Sequence, residues 1–220
     1  MKGFIFYNPR SLKEALSQLK EAGGKSKLMA GGTDLLGEMK AGVLQPERLI
    51  HLKAIPDLGF VRQDQDGLHL GALVSLDEIT IHPTIQKRFK MLAQAAQEVG
   101  SPQLRYMGTL GGNLCQRPRC WYYRGDFVCL KRGGEQCYAV TGQNKYHAIL
   151  EGGPCFIVHP SDTAPALIAL GASVKIAGPN REKSLPMERF FIPPRQDIAR
   201  ENILETDEIL TEILLPYPKE

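Results

Sequence analysis

Apolar residues recur three and four positions apart at Leu12, Ala15, Leu16 and Leu19, which gathers them on one face of a helix. Ser11 stands where an N-cap belongs, and Gly23 with Gly24 ends the run, as glycine does where a helix must turn into a left-handed conformation. The pattern then shortens. Lys27-Leu28-Met29-Ala30 reads as an apolar strand, Gly31-Gly32-Thr33-Asp34 as a glycine-rich turn, Leu35 to Lys40 as a helical turn and Arg48-Leu49-Ile50-His51-Leu52 as a second strand. Strand, turn, helix and strand in this order predict a small parallel unit.

From about residue 58 the pattern changes. Leu68-His69-Leu70-Gly71-Ala72 leaves an Asp66-Gly67 turn as a strand, a short helix begins at Ser75 or Asp77, and a longer helix is expected over Thr84 to Val99, ended by Gly100-Ser101-Pro102. A second glycine-rich turn occupies Met107-Gly108-Thr109-Leu110-Gly111-Gly112-Asn113. Beyond it, the stretch through Cys155 carries Trp121, Tyr122, Tyr123, Phe127, Tyr138 and Tyr146 but no sustained period of either kind. It reads as an ordered loop, and a loop of that length calls for something functional to organise it. The period returns with a helix over Asp162 to Leu170, a strand over Ser173 to Ala177, a hairpin turn at Gly178-Pro179-Asn180 and a final strand over Ile209 to Leu215. The second half therefore predicts antiparallel strands with flanking helices, and the whole predicts two lobes meeting at a cleft: 1–57, and 58–220 with an inserted loop at about 115–156.

Length and composition narrow the class. A chain of 220 residues, 43% hydrophobic and 23% charged, is one large domain or two lobes sharing a core, and is neither disordered nor fibrous. The net charge of +3, from 27 basic and 24 acidic residues, is too small to argue for nucleic acid. No stretch has the roughly 18 apolar residues of a membrane span, and MKGFIFYNPRSLKEAL lacks the apolar core of a signal peptide. The expected compartment is the cytoplasm, with a partner's export signal as the route to the periplasm.

Each glycine turn lets backbone N–H groups approach an anion with no Cβ in the way. Neither matches the mononucleotide P-loop or G-x-G-x-x-G, so taken singly each is an anion cradle or a tight turn. All five cysteines (Cys115, Cys120, Cys129, Cys137 and Cys155) fall between residues 115 and 155. In a chain without a secretory signal such a cluster points to a metal or redox site. Cys120, Cys129, Cys137 and Cys155 are separated by eight, seven and seventeen residues, unlike the C-x(2–4)-C pairs of structural zinc. Four thiolates suit a [4Fe–4S] cluster in number, although the spacing departs from the ferredoxin run; a zinc-stapled scaffold without redox activity is the competing reading. Arg117, Arg119, Arg124, Lys131 and Arg132 would compensate the charge of a thiolate-ligated cluster. Cys115 reads as a packed small residue, and His147 and His159 as hydrogen-bonding groups. No constellation marks a catalytic residue.

Taken together, AGGTDLL, MGTLGGNL, QRPRCWYYR with its later cysteines, and CFIVHPSDTAPAL resemble the FAD-binding medium subunit of the molybdenum hydroxylase (xanthine oxidase, xanthine dehydrogenase) family along nearly the entire chain. The resemblance is to the branch with a [4Fe–4S] insertion, as in 4-hydroxybenzoyl-CoA reductase and periplasmic aldehyde oxidoreductase. It implies an α+β, two-lobed FAD-binding domain of the PCMH/CO dehydrogenase flavoprotein type. It implies that Leu28, Met29, Ala30, Gly31, Gly32, Thr33, Asp34 and Leu35 wrap the FAD pyrophosphate, and that Gly108, Thr109, Gly111, Gly112 and Asn113 form a second diphosphate loop. Ser161 and Asp162 would reach the ADP portion, Ile209 and Leu210 would border the flavin or adenine, and Gly71 and Ala72 would lie near the cofactor. Cys120, Cys129, Cys137 and Cys155 would ligate the cluster. The implied partners are a molybdopterin-binding large subunit and a [2Fe–2S] small subunit in a hetero-oligomer, with electrons passing through FAD between the clusters and an outside acceptor or donor. Family members usually continue into a C-terminal domain that is not expected here, after Pro216-Tyr217-Pro218-Lys219-Glu220.

Overall fold

In a computed structural model that describes residues 1–217, the first lobe runs β1 (Ile5–Tyr7), α1 (Leu12–Ala22), β2 (Ser26–Met29), α2 (Leu35–Lys40) and β3 (Arg48–His51). The Ser11 hydroxyl caps α1 by accepting from the Glu14 amide at 3.2 Å, and Gly23 ends it at φ +54°. All pairings are parallel, in the order β1-β3-β2, and parallel neighbours need crossovers, which α1 and α2 supply. Ala15 and Leu19 of α1 pack on Ile50 of β3, and Leu58 and Ile209 close that core from the second lobe.

The second lobe adds β4 (Val61–Gln63), β5 (Gly67–Gly71), α3 (Leu76–Ile81), α4 (Pro83–Arg88), α5 (Lys90–Gln97), α6 (Pro102–Met107), α7 (Leu110–Leu114), α8 (Trp121–Arg124), α9 (Thr163–Ala169), β6 (Ser173–Ala177), β7 (Glu182–Pro186) and β8 (Ile209–Pro216). Its sheet is antiparallel throughout, in the order β4-β5-β8-β6-β7. β8 therefore lies in the middle. Leu68, Leu70, Val174, Ile176, Ile213 and Leu215 turn one face of the sheet onto α3, α5 and α9, where Ile79, Phe89, Leu92 and Leu167 complete a single core. Both lobes have the predicted composition of parallel and antiparallel strands. Pro218, Lys219 and Glu220, with which the expected second lobe ends, lie outside the described residues.

Three local expectations are corrected. The helix over Thr84 to Val99 is two helices, because Phe89 leaves helical geometry (φ −130°, ψ 45°) and carries its ring into the core. Ile85, Phe89, Leu92 and Ala96 keep helical spacing across the break, so periodicity alone does not reveal it. Gly100-Ser101-Pro102 ends one helix and starts another: Pro102 occupies the first position of α6, and the Ser101 hydroxyl accepts from the Leu104 amide at 3.4 Å, a cap and an N1 proline in their usual order. The second half of the second glycine-rich turn is itself helical: Thr109 caps α7, which contains Gly111, Gly112 and Asn113. Residues 115–156 contain only α8 and a 3-10 turn at Leu130–Arg132. Trp121, Tyr122, Phe127, Tyr138, Tyr146 and His147 hold them together through edge, tilted and stacked ring contacts with centroids 5.1–6.1 Å apart.

Candidate functional site

A cavity of about 780 Å3 opens between the lobes. One wall runs from Lys27 in β2 to Leu35 at the start of α2; the other is the turn from Gly108 to Asn113. Ala72, Leu73 and Leu76 lie between them, and Asp162, Ile209 and Leu210 close the far side.

The two glycine turns pack on each other. A Cβ on Gly31 would stand 2.0 Å from the Met107 carbonyl oxygen, and the obstruction is backbone that cannot swing aside. Gly32 holds φ +72°, the left-handed region that glycine enters freely. The second turn is clamped to the chain after β5: the Gly111 amide donates to Ala72 O at 2.8 Å, Leu110 to Val74 O at 2.9 Å, and Leu76 to Gly108 O at 3.0 Å. Thr109 accepts from the Gly112 amide at 3.1 Å. The walls are thus backbone held at fixed depth, the form of an anion-binding concavity.

Of the sequence-assigned residues, Leu28 through Leu35, Ala72, Gly108, Thr109, Gly111, Gly112, Asn113, Asp162, Ile209 and Leu210 line this cavity. Gly71 and Ser161 do not. Gly71 is required where β5 passes Leu58, since a Cβ there would stand 2.3 Å from the Leu58 carbonyl oxygen. Ser161 works from behind: its hydroxyl donates to Asn113 Oδ1 at 2.5 Å, beside Thr163 at 2.6 Å, and so fixes the Asn113 amide. Burial raises the Asp162 pKa, which weakens its preference for the charged form.

Sequence reasoning missed the charged part of the wall, which contains Lys27, Glu38, Arg117, Arg119 and Tyr123. Desolvation, with the Arg117 guanidinium second, lowers the Lys27 pKa against the opposing pull of Glu38 and Glu201. Asp34 does not cap α2. Its carboxylate accepts from the Arg117 amide at 2.8 Å and from the Arg124 guanidinium at 2.7 Å, and pairs with Arg119 at 2.8 Å. The arginines read as cluster counter-charges therefore hold the first glycine turn. The available signal was their position: three arginines within eight residues directly after the second glycine turn.

Cys120, Cys129, Cys137 and Cys155 come together around a second, small cavity of about 10 Å3, room for roughly one water. Tyr122, Tyr123, Lys131, Tyr138 and His147 share its wall. None of the cysteines forms a disulfide. Burial raises the Cys120 pKa and pushes that of Cys155 up to about 11, so each is a thiol unless a cation binds it. His147 Nε2 lies 3.2 Å from Cys120 Sγ, while its buried Nδ1 has no partner among the described residues. Among those residues, no three His, Cys, Asp or Glu groups close in on a single-ion site. Cys115 stands apart, packed between the core and the large cavity, its pKa pushed up to about 12 by burial.

A cavity between two lobes, walled by two glycine-rich backbone turns and mixing apolar with cationic side chains, defines a nucleotide-cofactor-binding domain. The chain belongs to the family described as "FAD binding domain in molybdopterin dehydrogenase", whose profile matches residues 2–218. It is 32% identical over 222 residues to the aldehyde oxidoreductase FAD-binding subunit PaoB of Escherichia coli, covering 99% of this chain and 70% of that protein. It is 29% identical to the nicotinate dehydrogenase FAD-subunit of Eubacterium barkeri and 28% identical to the carbon monoxide dehydrogenase medium chain of Hydrogenophaga pseudoflava, covering 60% and 58% of their lengths. A solved structure of carbon monoxide dehydrogenase from Hydrogenophaga pseudoflava superposes with a TM-score of 0.72 at 26% identity, over 99% of this chain and 60% of that one. The chain thus spans between about three fifths and seven tenths of the length of these relatives. No helix among the described residues is long and apolar enough to cross a membrane.

Proposed function

We propose that this chain is the FAD-binding, electron-transferring component of a molybdenum-hydroxylase-type dehydrogenase, and that it carries a [4Fe–4S] cluster of its own. The observation that carries the reading is the glycine-walled cavity of about 780 Å3 in a chain of the FAD-binding family. That volume lies in the range of ligand sites for molecules of this size, and the Gly31 contact leaves no space for any other residue.

Leu28 to Leu35 and Gly108, Thr109, Gly111, Gly112 and Asn113 hold the diphosphate with backbone amides, and Lys27, Arg117 and Arg119 supply countercharge. Asp162 meets the ADP portion, and Ile209 and Leu210 border a ring and exclude water from it. Gly71 and Ser161 support this wall without touching the ligand. FAD, once bound, exchanges electrons singly or in pairs. Cys120, Cys129, Cys137 and Cys155 are the four cluster ligands; convergence of four thiols on one cavity supports this, and their spacing is unlike the C-x(2–4)-C pairs of structural zinc. The lobes divide as 1–57 and 58–220, with the insertion at about 115–156. The partners are a molybdopterin-binding large subunit and a [2Fe–2S] small subunit, the complex is cytoplasmic, and this chain touches no organic substrate.

The test is an anaerobic absorbance spectrum of the purified chain, with flavin, iron and acid-labile sulfide measured on the same sample. Flavin bands, broad iron–sulfur absorbance and about four irons per chain are expected. Zinc without sulfide sinks the cluster, and failure to bind added FAD sinks the flavoprotein.

A further inference from the structure

The two cavities share a wall. Tyr123 lines both. Tyr123 is 5% exposed, and the guanidinium groups of Arg117 and Arg124 lie over its ring at 5.4 and 5.7 Å from the centroid. Its hydroxyl donates to Glu38 Oε1 at 2.8 Å and accepts from Arg117 Nε at 3.1 Å, both partners standing on the large cavity.

Two further connections run beside it. α8 begins next to Cys120 and ends at Arg124, so one helical turn joins a thiol of the small cavity to the guanidinium that holds Asp34 in the first glycine turn. Glu201, 4% exposed, pairs with Arg117 of the large cavity at 2.5 Å and with Lys131 of the small one. Tyr123, α8 and Glu201 form a contiguous packed and ion-paired bridge between sites built on different parts of the chain.

We propose that FAD binding and filling of the cysteine cavity are thermodynamically coupled, with Tyr123 and Glu201 as the positioning residues that carry the coupling. The inference rests on the reading of the cysteines as cluster ligands. Ligation of Cys120 fixes α8; α8 then fixes Tyr123 and Arg124, and these fix Glu38 and Asp34 in the FAD wall. Residues 115–156 have little regular structure of their own, so with the thiols unligated part of the cost of ordering them falls on FAD binding. Because coupling between binding sites is reciprocal, FAD stabilises the loaded cysteine site in turn.

The test uses the full chain under anaerobic conditions, either stripped with a chelator or reconstituted with ferrous iron and sulfide, and measures FAD affinity by quenching of flavin fluorescence. The reconstituted protein is expected to bind FAD about tenfold more tightly than the stripped one, in the ordinary range of such couplings. Tyr123→Phe keeps the ring and loses both hydroxyl hydrogen bonds, and Glu201→Gln keeps the shape and loses the charge. In either variant the ratio is expected to fall below about threefold at unchanged iron and sulfide content, whereas a merely structural role lowers both affinities and leaves the ratio intact. Equal FAD affinity in loaded and stripped wild-type protein overturns the coupling and leaves the cluster reading standing. Absence of iron and sulfide uptake overturns the cluster reading and the coupling with it. Should the stripped protein unfold by circular dichroism, the reciprocal effect decides: added FAD that slows removal of iron by a chelator from the loaded wild type, and does so markedly less in loaded Tyr123→Phe, supports the coupling, and a rate in the wild type that FAD leaves unchanged overturns it.

Discussion

The large cavity has two glycine-rich backbone turns as facing walls, pinned between strands and helices, whereas the cysteine cavity is walled by side chains on a segment with almost no regular structure. In the first, ligand-facing atoms are positioned by hydrogen bonds the fold makes anyway, such as Gly111 to Ala72 O and Leu110 to Val74 O. In the second, thiols, aromatic rings and the buried Lys131–Glu201 pair must position one another. A backbone-built site resists loss of any side chain that is not in its way; a side-chain-built site depends on each member and on what it binds.

Cys137→Ser gives the sharpest break. Removing one of the four converging thiols is expected to abolish cluster iron and lower Tm by roughly 5–10 °C, read by iron assay and calorimetry. Wild-type iron content and Tm would contradict the assignment. On the other side, Gly31→Ala drives a Cβ against the Met107 carbonyl and is expected to weaken FAD binding by about tenfold to a hundredfold, the cost of overpacking, with iron content intact. If FAD titration finds wild-type affinity, the glycine turns are not the FAD wall.

The remaining two predictions are smaller. His159 follows the cysteine segment, its ring against Phe191, and burial pushes its pKa down to about 4. The unfolded chain then binds a proton that the folded one refuses, so stability is full above about pH 6.5 and is lost as pH falls from there toward 4. Thermal melts across this range are expected to drop by a few degrees, and His159→Phe to flatten the slope; an unchanged slope removes His159 as its source. Ser161→Ala deletes one of two hydroxyls on Asn113 Oδ1, with an expected cost of about 1 kcal/mol in stability and FAD affinity within about twofold. A tenfold loss of FAD would place Ser161 on the ligand after all.

The backbone side of this contrast was legible in the sequence. Ser11 and Gly23 bounded α1, the Gly31-Gly32 turn appeared between two apolar strands, and the second turn announced itself by composition, because capping, periodicity and glycine chemistry are local. What was hidden depends on distant partners. Nothing near Asp34 says that it will hold Arg117, Arg119 and Arg124, and nothing near Tyr123 says that Glu38 will accept a hydrogen bond from it. Phe89 was illegible for another reason: the core takes its ring at the spacing a continuous helix would have used. The chemistry of the cysteine segment was recognisable from residue type, but its convergence is tertiary.

β8 lies between β5 and β6, strands that precede it by many residues in the chain, and its first two residues help to line the cofactor cavity. During synthesis the growing chain therefore emerges with a gap at the centre of its larger sheet and a cleft open along one side. Both close when Ile209–Pro216 leave the ribosome. The wall of the cavity is accordingly complete only once the last strand of the domain has taken its place.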